Sequence, residues 1–329
     1  MSGAPLLSVV VPTLGREAHL LPFLDALGRQ RLPRERFETV VVFDGAAPTP
    51  AVAARLEALG ARAVRLERRS GPPVARNRGA EAARGDFLVS TDDDVTPDPD
   101  WLANAARRLE ADPSLDVIEG LTVKPGGRPV RVRAEEAGQY ILCNLVVRRE
   151  LFLRVGGFEE AFYDPANGAF FREDADLGFR LERAGAKVER ALDVVVTHPV
   201  ELPRFLDPLR WTRRYEMDPL LETRFPRLFH ERIEVHRLGP FHVRRPIVRA
   251  CLGVTSATVG ALVALAAGWG AVAAGCGVLA GLAFLVVWAK WRFDVRRLPV
   301  YLLVPFAMTL ALVRGALRLR GLPAARRVM

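Results

Sequence analysis

The sequence has few cysteines and no N-terminal stretch with the pattern of a signal peptide. Only three cysteines occur among its 329 residues, and they lie far apart, at Cys143, Cys251 and Cys276. This spacing offers neither a disulfide framework nor a cysteine-based metal site, and it suits a reducing compartment. The first apolar stretch, Leu6–Val11, is too short for a signal peptide and is followed by Pro12. We therefore expect the N-terminal part of the chain to stay in the cytoplasm.

Basic residues are not in excess in the first 243 residues, although the net charge of the chain is +9. This part has 35 basic and 37 acidic residues, whereas the part from Arg244 onwards has 12 basic residues and one acidic residue, Asp294. A protein that binds nucleic acid would carry its basic residues on the folded domain. We therefore expect no nucleic-acid partner, and we assign the excess charge to the hydrophobic C-terminal part.

A long uncharged run begins only after residue 249. Ala250–Ala289 contains 40 residues without a charged side chain, against about 20 residues needed to cross a bilayer once. The Gly268-Trp269-Gly270 turn at its middle predicts two spans, at about residues 250–267 and 271–289. Basic residues flank both outer ends, so we expect both ends in the cytoplasm and the turn outside. The alternative is a buried hairpin of a soluble protein.

A third uncharged stretch, Leu298–Val313, has only 16 residues and contains two prolines. A complete crossing would place the arginines that follow it, from Arg314 to Arg327, on the outer face. We therefore predict a re-entrant or in-plane helix at 298–313. The chain then divides into an α/β domain at 1–200, an interfacial connecting segment at 201–246 with alternating basic and aromatic residues, and a membrane domain at 247–329.

Short β-branched runs alternate with helical patterns over the first 120 residues. This alternation predicts a parallel sheet with helices on both faces. The predicted strands are Ser8–Val11, Thr39–Phe43, Ala63–Leu66, Phe87–Ser90 and Val117–Glu119, and the predicted helices are Ala18–Leu27, Val52–Leu59, Val74–Ala83 and Trp101–Leu109. The alternation then loosens, and we predict strands at Tyr140–Val147 and Val194–Thr197 and a helix at Asp174–Ala184.

An acidic run, Asp92-Asp93-Asp94, comes one residue after the fourth predicted strand. Open α/β sheets bind their ligands at the carboxyl ends of strands. Adjacent carboxylates repel one another unless a cation joins them. Mg²⁺ or Mn²⁺, bridging to a substrate diphosphate, is the natural partner. The alternative is an acidic turn that caps the next helix, for which Asp98 and Asp100 are also candidates.

Two further segments carry polar residues at the same predicted edge. Asp44 ends the second strand and is followed by Gly45, although such an aspartate is often only a turn residue. The segment from Ser70 to Gly79 is a tight turn leading into a helix, and it places Arg76 and Arg78 near the helix start. A helix start with nearby arginines is a reasonable site for an anion.

Taken together and in order, these segments resemble the family 2 glycosyltransferases of the inverting, membrane-anchored bacterial type. The matching segments are Ser8-Val-Val-Val-Pro-Thr13, Val-Val-Phe-Asp-Gly45, Gly71-Pro-Pro-Val-Ala-Arg-Asn-Arg-Gly79, Gly85-Asp-Phe-Leu-Val-Ser-Thr-Asp-Asp-Asp-Val95, Val155-Gly-Gly-Phe-Glu-Glu160 and Arg172-Glu-Asp-Ala-Asp-Leu177. The resemblance covers roughly residues 6–200. It implies the GT-A fold, a Rossmann-like nucleotide-diphospho-sugar transferase domain, followed here by a transmembrane helical hairpin.

The resemblance also implies roles on the donor side. Pro12, Thr13 and Asp44 would line the nucleoside pocket, with Asp44 at the base, which is often uracil in this family. Arg76, Asp92 and Asp93 would bind the donor nucleotide or its phosphates. Asp92 and Asp94 would form the D-x-D pair that holds the divalent cation, Mg²⁺ or Mn²⁺. His198 would be a further ligand, unless it is a purely structural histidine.

On the acceptor side, the resemblance implies that Asp174 is the catalytic base. Its place near a helix start would keep the carboxylate ionised, although Glu173 or Asp174 could also be a plain helix cap. Glu173, Asp176 and Arg180 would lie toward the acceptor.

The sequence departs from the family pattern at two places. Phe43 replaces the first of two acids that usually end the second strand, while Asp44 is kept. The Gln-x-x-Arg-Trp motif of processive members keeps only Arg210-Trp211.

The implied function is the transfer of one sugar, with inversion, from a nucleotide sugar such as a UDP-sugar to a hydroxyl acceptor at the cytoplasmic membrane face. Anchoring suggests a lipid or lipid-linked acceptor. One alternative is a catalytically silent membrane scaffold of the same fold. The other is a sugar-phosphate nucleotidylyltransferase, whose glycine-rich basic loop after the first strand is not matched by Pro12-Thr-Leu-Gly-Arg16.

Overall fold

A computed structural model of the chain describes residues 4–127, 140–200, 204–238 and 241–322. The chain forms two compact units, Met1–Glu201 and Leu202–Met329. Arg326 and Arg327, which enter the prediction of membrane topology, lie outside the described residues.

The first unit is built on one eight-stranded mixed sheet and a small two-stranded ribbon. The strands are β1 (Leu7–Thr13), β2 (Phe37–Asp44), β3 (Arg62–Leu66), β4 (Phe87–Ser90), β5 (Thr96–Pro97), β6 (Val117–Val123), β7 (Leu145–Arg148), β8 (Tyr163–Asp164), β9 (Ala169–Phe170) and β10 (Val188–Thr197). The sheet order is β3-β2-β1-β4-β7-β6-β10-β5, and β8 pairs with β9. The first four strands in this order are parallel, whereas β7 runs antiparallel to both β4 and β6.

The described residues of this unit form six α-helices: α1 (Glu17–Gly28), α2 (Pro50–Ala58), α3 (Pro72–Ala82), α4 (Trp101–Ala111), α5 (Arg149–Arg154) and α6 (Glu173–Arg183). In α1, Leu20, Phe23, Leu24 and Leu27 follow helical spacing and are buried. The central strands are buried along most of their length, and their side chains belong to several separate apolar clusters. Burial on both faces explains why these strands are nearly continuous apolar runs.

The α/β fold class predicted from the alternating pattern is confirmed, and every predicted strand and helix of the first 120 residues is present. The predicted strand Tyr140–Val147 is wrong in its first half. Tyr140 has a φ of +48°, Leu142–Asn144 is a 3₁₀ turn, and the strand begins at Leu145. The physical reason is Asn144, whose buried side chain accepts from Trp101 Nε1 at 2.8 Å and donates to backbone carbonyls at 2.8 and 3.0 Å.

The second unit begins with short helices and ends with three long ones. They are α7 (Asp207–Arg210), α8 (Asp218–Arg224), α9 (Pro226–Leu228), α10 (Pro246–Ala266), α11 (Gly270–Lys290) and α12 (Leu298–Gly321). A hairpin of β11 (Val235–Leu238) and β12 (Phe241–Arg244), which the sequence patterns did not predict, lies between α9 and α10. Three segments, Pro246–Ala266, Gly270–Lys290 and Val295–Gly321, have the length and hydropathy to cross a membrane, with mean hydropathies of 1.7, 2.3 and 1.8.

The third of these segments is longer than the uncharged stretch 298–313 that the sequence shows. The helix continues through Arg314 and Arg318 to Gly321 and has 24 residues. Pro299 lies in its first turn, where a missing N–H has no cost. Its length therefore allows a complete crossing, which the 16 uncharged residues alone did not predict. The Oγ1 atoms of Thr255 and Thr309 lie 3.0 Å apart and join α10 to α12.

Candidate active site

A cleft of about 540 Å³ lies at the carboxyl ends of β1, β2 and β4. This is the edge at which an open α/β sheet binds ligands. Ten of the residues predicted from sequence line it: Pro12, Thr13, Asp44, Arg76, Asp92, Asp93, Asp94, Glu173, Asp174 and His198. The fold therefore brings the acidic run, the start of α6 and the residue after β10 to one cavity, and Asp94 and Asp174 share it.

Asp92, Asp94 and His198 form a candidate site for a divalent cation. One ligand atom from each can be chosen so that all three lie within 4.8 Å of one another. Oδ1 of Asp94 is buried and accepts no hydrogen bond from the described residues. Burial, and then the charge of Asp92, raise the pKa of Asp94. A bound cation would relieve both effects, so this donor set fits Mg²⁺ or Mn²⁺.

His198 is oriented for such a role. Its Nδ1 lies 2.9 Å from the carbonyl oxygen of Pro199. A carbonyl only accepts, so in the neutral ring Nδ1 carries the hydrogen and Nε2 has the lone pair that a cation needs. Nε2 lies 4.0 Å from Oδ1 of Asp94. Hydrogen bonding of one ring nitrogen to a backbone carbonyl is the usual way in which a ligating histidine is held.

Asp93 has a different environment from its two neighbours. Its Oδ2 accepts from Thr13 Oγ1 at 2.6 Å, and its Oδ1 accepts from Arg16 Nη2 at 2.9 Å. Both oxygens therefore join the acidic run to the end of β1 and the residues after it. Asp93 thus lines the cleft and also holds the loop after β1 in place.

Asp44 holds the turn before α3. Its two carboxylate oxygens accept from the backbone N–H groups of Ser70 and Gly71 at 2.6 and 2.9 Å. Gly71 has a φ of +92°, and a Cβ atom there would lie 2.4 Å from the ring of Tyr163. Only glycine meets both conditions at this turn. The predicted nucleoside-side residue is therefore also the residue that shapes the cleft wall.

Arg76, on α3, is a buried cation in the wall of the cleft. Its side chain is 6% exposed, and its Nη2 donates to Oδ1 of Asp92 at 2.6 Å. Its Nε and Nη1 atoms are buried and have no hydrogen-bond partner in the described part of the chain. The guanidinium also lies over the ring of Phe158, 5.8 Å from the centroid.

Glu173 and Asp174 open α6 and differ in burial. Arg172, the residue before the helix, has a φ of +74°. Glu173 is buried, and its Oε2 has no hydrogen-bond partner among the described residues. Burial, and then the charge of Asp174, raise the pKa of Glu173 to about 8. Asp174 is half-buried at the cleft, and its Oδ1 accepts from the N–H of Ala175 at 2.7 Å.

Asp176 and Arg180 do not line the cleft. Both are buried, and they pair with each other, with Arg180 Nε and Nη2 donating to Oδ2 of Asp176 at 2.8 and 2.6 Å. Arg180 Nη1 also donates to the carbonyl of Val155 at 2.7 Å. The structure thus shows Asp176 and Arg180 as a buried ion pair behind the cleft lining, and their place toward the acceptor, which the resemblance implied, stays a prediction. Their spacing of four residues on α6 puts them on its inner face.

Several cleft residues had no strong signal in the sequence. Arg16 follows Gly15 in the loop after β1, and its pairing with Asp93 depends on how that loop folds back. Arg69 comes before the Asp44-bound turn, and Tyr163 and Phe170 belong to the ribbon. Phe170 lines the cleft with 41% of its surface exposed.

Comparisons with known proteins show which family the chain belongs to. The family model of glycosyl transferase family 2 matches residues 8–178, more than half of the chain. An uncharacterized glycosyltransferase of Haemophilus influenzae is 25% identical over 173 residues, which are 47% of this chain and 57% of that protein. The chain thus matches just over half the length of this relative. Dodecaprenyl-phosphate galacturonate synthase of Rhizobium johnstonii is 30% identical over 119 residues, 35% of each chain.

Solved structures show the same fold. The mannosyltransferase PcManGT of Pyrobaculum calidifontis, in complex with GDP-Man and Mn²⁺, has a TM-score of 0.54 and 22% identity, covering 96% of this chain and 87% of its own. TarS 1–349 of Staphylococcus aureus, in complex with UDP-GlcNAc, has a TM-score of 0.54 and 19% identity, covering 66% of each chain. The chain has the GT-A fold and belongs to glycosyl transferase family 2.

Proposed function

We propose that this protein transfers a single sugar, with inversion, from a nucleotide sugar to a hydroxyl of a lipid-linked acceptor at the cytoplasmic face of a membrane. The observation that carries the proposal is the shared cleft. Asp92 and Asp94 from the loop after β4, His198 from the end of β10 and Asp174 from the start of α6 all line it. A glycosyl transfer needs a charge-neutralising site for the leaving group and a base for the incoming hydroxyl, and these residues supply both.

On the donor side, Asp92, Asp94 and His198 would hold Mg²⁺ or Mn²⁺. When bound, the cation neutralises charge on the departing diphosphate. Asp44 and Thr13 form the wall that we assign to the nucleoside, and a UDP-sugar is the donor we favour. The complexes of TarS with UDP-GlcNAc and of PcManGT with GDP-Man and Mn²⁺ support a nucleotide-sugar donor of this kind.

On the acceptor side, Asp174 takes the proton of the acceptor hydroxyl while the hydroxyl oxygen attacks the anomeric carbon. The bond from that carbon to the diphosphate oxygen breaks, and the nucleoside diphosphate leaves with the electron pair. A single displacement from the opposite face inverts the anomeric centre. Both residues line the cleft, but Asp174 is the better base, because it is only half-buried while Glu173 is buried and favours its protonated form.

Two observations support a lipid-linked acceptor. Among its described residues, the second unit has three helices long and apolar enough to cross a membrane. Tethering confines enzyme and acceptor to one surface and raises their effective concentration. Relatives named dodecaprenyl-phosphate galacturonate synthase and glucosyl-dolichyl phosphate glucuronosyltransferase, the second from Haloferax volcanii, support the same class.

One experiment tests this function against the alternatives. Detergent-solubilised full-length protein is incubated with Mn²⁺, a panel of UDP- and GDP-sugars, and a polyprenyl phosphate or lipid extract as acceptor. A glycosyltransferase releases nucleoside diphosphate and forms a glycolipid. A nucleotidylyltransferase would instead release pyrophosphate from a nucleoside triphosphate and a sugar phosphate, and a silent scaffold would release neither, which would refute the proposal.

A further inference from the structure

The ion pair between Arg76 and Asp92 uses a carboxylate that the candidate cation site also needs. Arg76 Nη2 lies 2.6 Å from Oδ1 of Asp92, and Asp92 is one of the three residues that can hold a cation. An arginine and a cation bound to one carboxylate repel each other and compete for its charge. Arg76 can therefore either pair with Asp92 or leave its carboxylate to a cation.

The pairing leaves Arg76 poorly satisfied. A guanidinium has five N–H donors, but the buried Nε and Nη1 of Arg76 have no partner in the described part of the chain. Its neighbour Glu173 favours the protonated form, so it compensates little of the positive charge. A buried arginine with unused donors can bind a second anion. The oxygens of a diphosphate can accept two parallel, charge-assisted hydrogen bonds from one guanidinium.

A nearby arginine provides a contrast. Arg16 also pairs with an aspartate of the acidic run, with its Nη2 2.9 Å from Oδ1 of Asp93. Its side chain is 46% exposed, and Asp93 has Thr13 as a second partner. Asp93 is not part of the candidate cation site. Arg16 thus has the same charge in the same region, but its ion pair is with Asp93 and not with a residue of the candidate cation site.

We propose that Arg76 exchanges its partner during donor binding. Before the donor binds, Arg76 pairs with Asp92. Once the cation binds the carboxylate of Asp92, Arg76 pairs with the donor diphosphate instead. This inference rests on the proposed function and adds a coupling to it. The exchange makes cation and diphosphate binding cooperative through Arg76, because the diphosphate removes the competitor of the cation. By linkage, the cation strengthens diphosphate binding by the same factor.

The test measures Mn²⁺ affinity of the full-length protein by the EPR signal of free Mn²⁺, with and without UDP or GDP. The affinity is corrected for Mn²⁺ bound by the free nucleotide. The wild-type protein should bind Mn²⁺ at least about fivefold more tightly with nucleotide, within the usual range of coupling between sites. Arg76→Gln should bind Mn²⁺ alone more tightly than the wild type and should show a smaller enhancement by nucleotide, because only the direct attraction between the cation and the diphosphate remains.

Arg16→Gln is the matched control, because it removes one positive charge from the same acidic run. It should keep the enhancement of the wild type. Arg76→Lys keeps the positive charge and serves as the second variant if Arg76→Gln does not fold. It should bind Mn²⁺ alone as weakly as the wild type, and nucleotide should enhance its Mn²⁺ binding less than that of the wild type. Melting temperatures of all variants establish that each protein is folded.

Three outcomes would overturn the inference. Arg76→Gln could keep the full enhancement, it could bind Mn²⁺ alone more weakly than the wild type, or it could match Arg16→Gln in both measurements. If the wild type bound no Mn²⁺ with either nucleotide, the cation site of the proposed function would fail as well. A wild type that binds Mn²⁺ and releases nucleoside diphosphate, with coupling unaffected by Arg76, would refute the exchange alone.

Discussion

Asp93 and Asp94 are neighbours in the sequence, but their carboxylates have opposite environments in the fold. Both oxygens of Asp93 are hydrogen-bonded, one to Thr13 and one to Arg16. Oδ1 of Asp94 accepts no hydrogen bond from the part of the chain that the structure describes, and it lies 4.0 Å from Nε2 of His198. One aspartate thus supports the loop, while the other is left for a ligand.

This difference predicts different effects of two adjacent substitutions. Asp94→Asn should weaken Mn²⁺ binding by at least about tenfold, since even residues that only support ligands are worth 10–100-fold. Asp93→Asn should weaken it by a smaller factor and should instead lower the melting temperature, because one of the two acceptor oxygens and the charge that pairs with Arg16 are lost. The measurements are Mn²⁺ titration by EPR and thermal unfolding. Equal losses of Mn²⁺ affinity in the two variants would contradict the assignment.

Glu173 should make the stability of the protein depend on pH. Burial raises its pKa from the usual 4.5 to about 8 in the folded protein. Between these values the folded protein holds a proton that the unfolded chain has lost, so stability falls as the pH rises from about 4.5 to about 8. Glu173→Gln removes this titration. The melting temperature of the wild type, relative to Glu173→Gln, should therefore fall across this range and level off above it. Parallel curves for the two proteins would show that Glu173 does not titrate there.

Glu173→Gln also tests whether Glu173 or Asp174 is the catalytic base. A glutamine resembles a protonated glutamate in shape and charge, so Glu173→Gln should keep turnover within about tenfold of the wild type, which is less than the loss of a general base costs. The readout is release of nucleoside diphosphate from the donor under saturating acceptor. A loss of more than about a hundredfold, with donor binding intact, would make Glu173 the base instead.

The arrangement of the three long helices is tested by labelling. Trp269, in the turn between α10 and α11, is 62% exposed, and Trp269→Cys should react with a membrane-impermeant maleimide in intact cells. Leu322→Cys, at the end of α12, should react only after permeabilisation, since Arg314, Arg318 and Arg320 favour the cytoplasmic side. Both are made in a Cys276→Ser background. Labelling of Leu322→Cys from outside would show that α12 crosses the membrane and that the prediction of a re-entrant or in-plane segment is wrong.

The sequence predicts much of this site, because parallel strands bring their carboxyl ends to one edge. Asp44, the acidic run and His198 each follow a strand that the apolar pattern reveals, so their meeting at one cleft could be expected. The start of α6 could be placed there only through the resemblance to the family. The alternation of strands and helices does not predict the path of the chain beyond β6, where the long connection to β7 interrupts it.

Other features depend on tertiary contacts that no local pattern encodes. The buried side chain of Asn144 turns the expected strand start into a 3₁₀ turn, and the loop after β1 must fold back before Arg16 meets Asp93. Arg180 turns inward because Asp176, four residues earlier, neutralises it in a buried position. The uncharged stretch does not predict the full length of α12, because the helix continues through three arginines.

The central claim is that Asp174 receives the proton of the acceptor while the sugar leaves a diphosphate held across the same cleft. It is tested most directly by turnover and donor binding of Asp174→Asn in the full-length protein, with Mn²⁺ and the preferred nucleotide sugar. The account predicts a loss of turnover of about 10²–10⁴-fold, the usual contribution of a general base, with donor affinity close to that of the wild type. Unchanged turnover in Asp174→Asn would contradict it.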